Sequence, residues 1–174
     1  GDFDTKNGEG HQFKEVLYTK QDGVATVTIN RPHNYNAYST SALKEIAQAM
    51  QDAAWDDSIA VVVYTGAGSQ AFCTGGDVKE YQDKYTERPR DYWKYMGLFR
   101  KYIESILYNG KPTIARINGM AVGGGNESQL ACDLAVMAEH AYLGQVGTSV
   151  GSVACGGAPQ WLPIVVGDRR AREM

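Results

Sequence analysis

The sequence predicts an α/β protein, and three observations predict it. Short β-branched runs alternate with segments of helical periodicity, glycine-bearing loops recur at strand ends, and no repeat, linker or low-complexity stretch divides the chain. With 174 residues, 43% of them hydrophobic, the chain is long enough to bury one substantial core. That core is expected over residues 13–174. Residues 1–12 are polar and glycine-rich and read as a flexible N-terminal arm.

Residues 13–19 and 24–30 form two extended runs separated by Gln21-Asp22-Gly23, the signature of a hairpin. Arg31-Pro32 ends the second strand. Ser39, Thr40 and Ser41 offer N-caps to a helix in which Leu43, Ile46, Ala47, Met50 and Ala54 recur at helical spacing. Residues 60–64 are a continuous apolar run, as in a strand buried on both faces. Residues 66–77 are expected as a long loop. A helix over residues 90–107 follows, with Tyr92, Tyr95, Met96, Phe99, Tyr102, Ile103 and Ile106 on its buried side. Then come a strand over 112–117, a loop over 118–125, a helix over 126–132 and a strand over 134–138. A third loop over 144–157 leads into a helix around 160–166. The final stretch from Arg169 to Met174 begins like a helix without any cap or breaker, so the chain is expected to be a fragment.

Several function classes are excluded by composition. The formal net charge of −3 is spread along the chain with no basic stripe, which argues against nucleic acid. No apolar run approaches the ~20 residues of a membrane span, and the N-terminus lacks a signal-peptide core, so the expected location is cytoplasmic and away from membranes. Cys73, Cys132 and Cys155 are odd in number and far apart, and His11, His33 and His140 show no ligand spacing. No metal site is expected.

The glycines carry the chemistry. Gly66-Ala-Gly68-Ser-Gln-Ala71 formally fits a dinucleotide fingerprint, but that motif must open a helix, and Phe72-Cys73-Thr74-Gly75 is a poor helix start. Gly75-Gly76-Asp77 and Gly123-Gly124-Gly125 fit another task. Without Cβ atoms, such loops let backbone N–H groups approach a ligand oxygen, and two loops opening short helices can aim two amides at one carbonyl. Taken alone, either triplet reads better as a tight strand-to-helix turn. What shifts the balance is Glu127, one residue past Asn126 and on the first turn of a helix, beside the Gly124 amide. In an apolar segment its carboxyl would be desolvated and suited to proton transfer; the alternative role is to stabilise the helix N-terminus.

These residues resemble the crotonase, or enoyl-CoA hydratase/isomerase, superfamily. The likeness runs in order through Asn30-Arg31-Pro32, Asn36-Ala37, Ala71 to Asp77, Lys111-Pro112, Asn118-Gly119, Gly123 to Glu127, Cys132-Asp133 and Gly144-Gln145. It implies a ββα spiral core whose C-terminal helical part is missing here, and trimers or hexamers. It also implies an acyl-CoA substrate whose thioester oxygen is held by two amides, which fall on Gly76 and Gly124. The family's first glutamate falls on Glu127. No cofactor is implied, since CoA belongs to the substrate.

One departure outweighs the matches. Hydratases of the family carry a second glutamate soon after the G-Q pair, and that position is Gly147 here. Water addition usually shares its proton transfers between two carboxylates, so ordinary hydratase chemistry is in doubt. A ring-closing naphthoyl-type branch also has glycine there, but its third-loop aspartate falls on Ala154 and it lacks a counterpart of Glu127. The tyrosine-rich Asn34-Tyr-Asn-Ala-Tyr-Ser-Thr40 and the segment from Val150 to Ala158 resemble the family's ring-opening hydrolases, which act on cyclic oxo-enoyl-CoA thioesters. Tyr35, Tyr38 and Tyr142 are candidate partners of Glu127 by chemistry alone, and Gly147 and Ser152 are candidate pocket residues. Asp77 is expected as a helix cap. A plain hydratase or isomerase, a ring-closing synthase and a non-catalytic acyl-CoA-binding subunit are the alternatives.

Overall fold

The computed structural model describes all 174 residues. Strands β1 (Val16–Gln21) and β2 (Val24–Ile29) form the antiparallel hairpin. Asp22 and Gly23 both have positive φ, the backbone of a two-residue turn that matches strand twist. Helix α1 (Thr40–Trp55) follows, capped by the Ser39 side chain, which accepts from the Ala42 amide at 3.0 Å. Leu43, Ile46 and Met50 on its inner face are fully buried.

From there the chain repeats one unit three times: a strand in a first sheet, a short strand in a second, then helix. The first unit is β3 (Val61–Gly66), β4 (Ala71–Cys73), α2 (Val78–Lys84) and α3 (Pro89–Leu107). The second is β5 (Thr113–Ile117), β6 (Met120–Val122) and α4 (Gly124–Leu130). The third is β7 (Leu134–Met137), β8 (Leu143–Gly144), α5 (Ala158–Val166) and α6 (Asp168–Glu173). The larger sheet runs β1-β2-β3-β5-β7 and the smaller β4-β6-β8, with every pair parallel except β1 with β2. This is the expected ββα spiral. Since β4, β6 and β8 are parallel, their three following loops leave the same end of the small sheet.

Two of those strands lie inside segments expected as loops. Residues 66–77 and 118–125 contain β4 and β6, each of three residues, too short for any period to show. Cys73, expected in a loop, is therefore a buried strand residue. Helix α4 begins at Gly124, two residues before the predicted start. Gly123 takes φ 55° and ψ −125°, a backbone that side chains disfavour, and turns the chain directly from β6 into the helix. On α3, Tyr92 is 45% exposed rather than buried; it lies in the first turn and only stacks on Tyr95. Residues 66–71 run from β3 into β4 and open no helix, so the dinucleotide fingerprint has no structural counterpart.

The first twelve residues, expected as a free arm, make specific contacts. The His11 ring is buried with Nε2 3.0 Å from Asp52 Oδ2, it stacks on Phe13, and the Lys6 amide donates to the same oxygen at 2.7 Å. Asp52 is also held by the Tyr18 hydroxyl and by Lys20.

Candidate active site

The loop after β4 is held by backbone hydrogen bonds to the segment around Tyr38. The Tyr38 amide donates to the Gly75 carbonyl at 2.8 Å, and the Asp77 amide donates to the Tyr38 carbonyl at 3.0 Å, so Tyr38 forms a one-residue parallel bridge with Gly76. In that geometry the Gly76 N–H points away from the bridge, and it donates to no group in the chain. Asp77 caps α2 as expected, accepting from the Glu80 amide at 3.2 Å. Its other oxygen receives Arg31 at 2.8 Å and Asn34 at 3.1 Å. Burial alone would raise the Asp77 carboxyl, but the Arg31 hydrogen bond and charge and the Glu80 amide hold it below the ordinary range. The segment containing Asn30-Arg31-Pro32 thus acts on the site through Asp77.

Asn36 and Asn118 do similar work upstream. The Asn36 side chain donates to the carbonyls of Ala67 and Ala71, and Asn118 donates to those of Gly68 and Ala71 while accepting from the Gly66 amide. Both bind the backbone of the turn between β3 and β4 and so fix where β4 begins. Neither reaches the glycine amides.

The second loop packs against the first, backbone on backbone. A Cβ on Gly75 would lie 3.2 Å from the Gly124 nitrogen, and one on Gly125 would overlap the Cys73 carbonyl. The Gly124 amide, at the first position of α4, has no acceptor within the chain. A Cβ at Gly76 would overlap the Tyr81 hydroxyl, and one at Gly124 would overlap the Tyr38 hydroxyl. A side chain at either position would have to push a tyrosine ring aside, and at Gly124 that ring is the buried Tyr38.

Glu127 lies one turn into α4 and is 3% exposed. Its Oε1 accepts from the Gly156 amide at 2.6 Å and the Ala158 amide at 3.3 Å, at the start of α5. Oε2 has no hydrogen-bond partner in the chain. Burial raises the carboxyl above the ordinary glutamate value, against the opposing pull of the Ala158, Gly156 and Cys155 amides. One oxygen is anchored by backbone amides and the other makes no hydrogen bond within the chain, in an environment that raises the carboxyl's proton affinity. Gly156 is a residue that sequence reasoning missed. The signal was the Gly156-Gly157 doublet ahead of Ala158-Pro159, which marks a helix opening like the two glycine triplets.

The remaining candidates scatter. Tyr38 is buried against Gly124, whereas Tyr35 and Tyr142 are 52% and 56% exposed. The Tyr142 hydroxyl faces the Met120 sulfur at 2.7 Å. Gly147 and Ser152 close on each other across the third loop, the Ser152 amide donating to the Gly147 carbonyl at 2.9 Å. Among the cysteines, burial pushes the Cys73 thiol up to about 12, far from a thiolate nucleophile. A cavity of about 510 Å³ beside Asp77 matches four cationic side chains, Arg31, Lys44, Lys79 and Lys84, with four carboxylates, and touches neither glycine amide. No helix is long and apolar enough to cross a membrane.

Residues 19–174 match the profile of the enoyl-CoA hydratase/isomerase family. The chain belongs to that family. Among curated proteins, this family member is 43% identical over 147 residues to the 6-oxocyclohex-1-ene-1-carbonyl-CoA hydrolase of Geobacter metallireducens, covering 84% of this chain and 39% of that protein. The enzyme of the same name from Thauera aromatica is 41% identical over 145 residues, covering 83% and 38%. Among solved structures, an enoyl-CoA hydratase from Bacillus anthracis superposes with a TM-score of 0.85 at 32% identity, over 92% of this chain and 61% of that one. The fold is thus the crotonase fold, as the motifs implied. The chain spans under two-fifths of the length of these curated relatives.

Proposed function

We propose that this chain is the catalytic core of a hydrolase that opens the ring of a cyclic oxo-enoyl-CoA thioester of the 6-oxocyclohex-1-ene-1-carbonyl type, in anaerobic aromatic degradation. The observation that carries the reading is one buried glutamate beside the glycine loops, Glu127, with one oxygen anchored and one unpaired, while the third loop carries Gly147 at the position that the family resemblance assigns to a hydratase's second carboxylate. The identity to hydrolases of that name supports it.

In this reading the thioester oxygen lies between the Gly76 and Gly124 amides. Water adds to the conjugated double bond, and the electron pair moves onto the thioester as an enolate held by the two amides. Proton delivery to carbon gives the β-hydroxy compound. A second water attacks the ring ketone. The bond between that carbon and the thioester-bearing carbon then breaks, its electron pair forming a second enolate on the same oxygen, and protonation yields an open-chain carboxylate still linked to CoA. Both difficult steps place negative charge on one oxygen, so one pair of amides serves twice, each donor worth roughly 10²–10³ in rate. Glu127 Oε2 activates water and moves the protons. Tyr35, Tyr38, Tyr142, Gly147 and Ser152 are proposed as pocket residues, and the assembly as a cytoplasmic homotrimer or hexamer.

A second reading, a simple enoyl-CoA hydratase or isomerase, is favoured by the retained Glu127 and by the hydratase superposition. Product mass separates the two. Incubation of the full chain with the cyclic oxo-enoyl-CoA should give a product heavier by two waters. One water means hydration, no change in mass means isomerisation or a binding subunit, and loss of water means ring closure. Any of these three outcomes rejects the ring-opening reading.

A further inference from the structure

Five tyrosines are buried: Tyr18, Tyr38, Tyr64, Tyr95 and Tyr102. Four place their hydroxyls on a partner, Tyr18 on Asp52 at 2.8 Å, Tyr64 and Tyr102 on each other at 2.6 Å, and Tyr95 on Tyr81 at 2.6 Å. Tyr38, only 3% exposed, makes no side-chain hydrogen bond at all. Its oxygen is not one of the sealed side-chain atoms without a hydrogen bond, which belong to His11, Arg31 and Asn109, so a buried ring carries a hydroxyl that opens outward, and the exception calls for a reason.

Its position supplies one. The Tyr38 backbone is stitched to the first glycine loop through Gly75 and Asp77, while its side chain crosses to the second and ends against Gly124. The ring is fixed between Phe99, 5.8 Å away and near-parallel, and Tyr102 at 5.5 Å. Phe99 in turn touches the glutamate's anchor: a Cβ on Gly156 would lie 2.9 Å from Phe99 Cζ and 3.1 Å from Glu127 Cδ. Burial, with Tyr95, Tyr81 and Cys73 nearby, pushes the Tyr38 phenol well above its ordinary value. It keeps its proton and serves as a donor, not a base.

We propose that the Tyr38 hydroxyl is a third hydrogen-bond donor to the acyl oxygen of the thioester, acting beside the Gly124 amide; this rests on the reading that the glycine loops hold that oxygen. A side-chain donor rigidly mounted on both loops adds to the two amides as charge develops on the oxygen.

The test is vibrational. The full chain is mixed with the conjugated cyclic enoyl-CoA that lacks the ring ketone, carrying a ¹³C-labelled thioester carbonyl, and the carbonyl stretch is read by isotope-edited infrared difference. Wild type should lower the frequency relative to free thioester, and Tyr38→Phe should lose part of that shift. With the oxo-thioester, Tyr38→Phe should slow turnover by roughly 10²-fold with little change in KM. Because the hydroxyl has no partner in the chain, the variant should fold with undiminished stability. Should it fail to fold, 3-fluorotyrosine at position 38, a stronger donor, should enlarge the shift. Tyr64→Phe, which also removes a buried hydroxyl, should leave the shift intact. The proposal is overturned by an unchanged shift in Tyr38→Phe or by no enlargement with fluorotyrosine. It is equally overturned by an equal loss in Tyr64→Phe or by no shift in wild type. A shift that depends on Tyr38 in a protein that opens no ring upholds the donor and rejects the ring-opening reading. Ring opening with a shift indifferent to Tyr38 does the reverse.

Discussion

The Gly156 amide donates to Glu127 Oε1 at 2.6 Å, joining the start of α5 to the first turn of α4 across the third loop. This contact gives the carboxylate a fixed orientation and leaves Oε2 without a partner. It also ties the state of the glutamate to the position of the third loop, because Ala158 donates to the same oxygen at 3.3 Å.

Glu127→Gln should abolish proton transfer while keeping the carbonyl oxygen that the Gly156 amide needs. The expected loss in turnover is about 10²–10⁴-fold, the usual range for a general acid–base group, with little change in binding of the acyl-CoA. Full activity in this variant, measured as product formed by mass, would remove Glu127 from the mechanism.

The pH dependence follows from the same burial. Burial raises the Glu127 carboxyl above the ordinary glutamate value of 4.5, so the base form appears only above the pH at which an exposed glutamate ionises. Turnover should therefore rise with pH along a limb displaced upward. The stability effect has the opposite sign. A folded-state value above the unfolded one gives a contribution that is complete below the unfolded value and lost as pH rises through the folded one. At neutral pH the permanently neutral Glu127→Gln chain should thus melt at or above the wild-type temperature, as expected where function and stability compete. A clear drop in Tm would contradict this.

Gly124→Ala should strain the junction between the loops, because the new Cβ overlaps the Tyr38 hydroxyl. Overpacking of this kind costs about 1–3 kcal/mol. Adding Tyr38→Phe removes the overlapping oxygen, leaving the ring carbon 3.0 Å from the new Cβ, so the pair should recover much of the lost stability. Turnover should not recover with it. Denaturant titration of the four chains measures the coupling, and strict additivity would rule out the contact.

Asp77→Asn keeps a good N-cap but discharges the partner of Arg31. The loss of a charge-assisted hydrogen bond should cost about 1.5–3 kcal/mol at neutral pH. Since the Asp77 carboxyl is held below its ordinary value of 3.8, its contribution is present above that value and fades as pH falls through the folded one. Wild type and variant should converge in stability toward acid. Parallel curves from neutral to acid pH would show that the ion pair contributes nothing.

His11→Ala should release the N-terminal segment. The ring is wedged between Asp52 and Phe13, and the Lys6 amide depends on the same carboxylate. Hydrogen exchange should accelerate at Lys6 and its neighbours while the strand amides of β2 and β3 stay protected. Equal, rapid exchange at Lys6 in wild type and variant would mean that the segment is a free arm.

The sequence determined the alternation of strands and helices, the Asp22-Gly23 turn, the Asp77 cap and the family, because each is written in local pattern or in motifs of fixed spacing, and it narrowed the α1 cap to Ser39, Thr40 or Ser41, of which the structure uses Ser39. It also singled out Glu127 and the two glycine triplets. The three-residue strands β4 and β6 were beyond it, since their existence depends on pairing with each other across nearly fifty residues, not on any local period. Only the tertiary structure told the three candidate tyrosines apart: Tyr35, Tyr38 and Tyr142 are equivalent as letters, and burial beside Gly124 separates one from the two exposed ones. The anchoring of Glu127 by Gly156 likewise needed the third loop folded back onto α4, a contact between residues 29 positions apart. Burial and convergence are properties of the folded chain, and there the residue types named in the sequence acquire their chemistry.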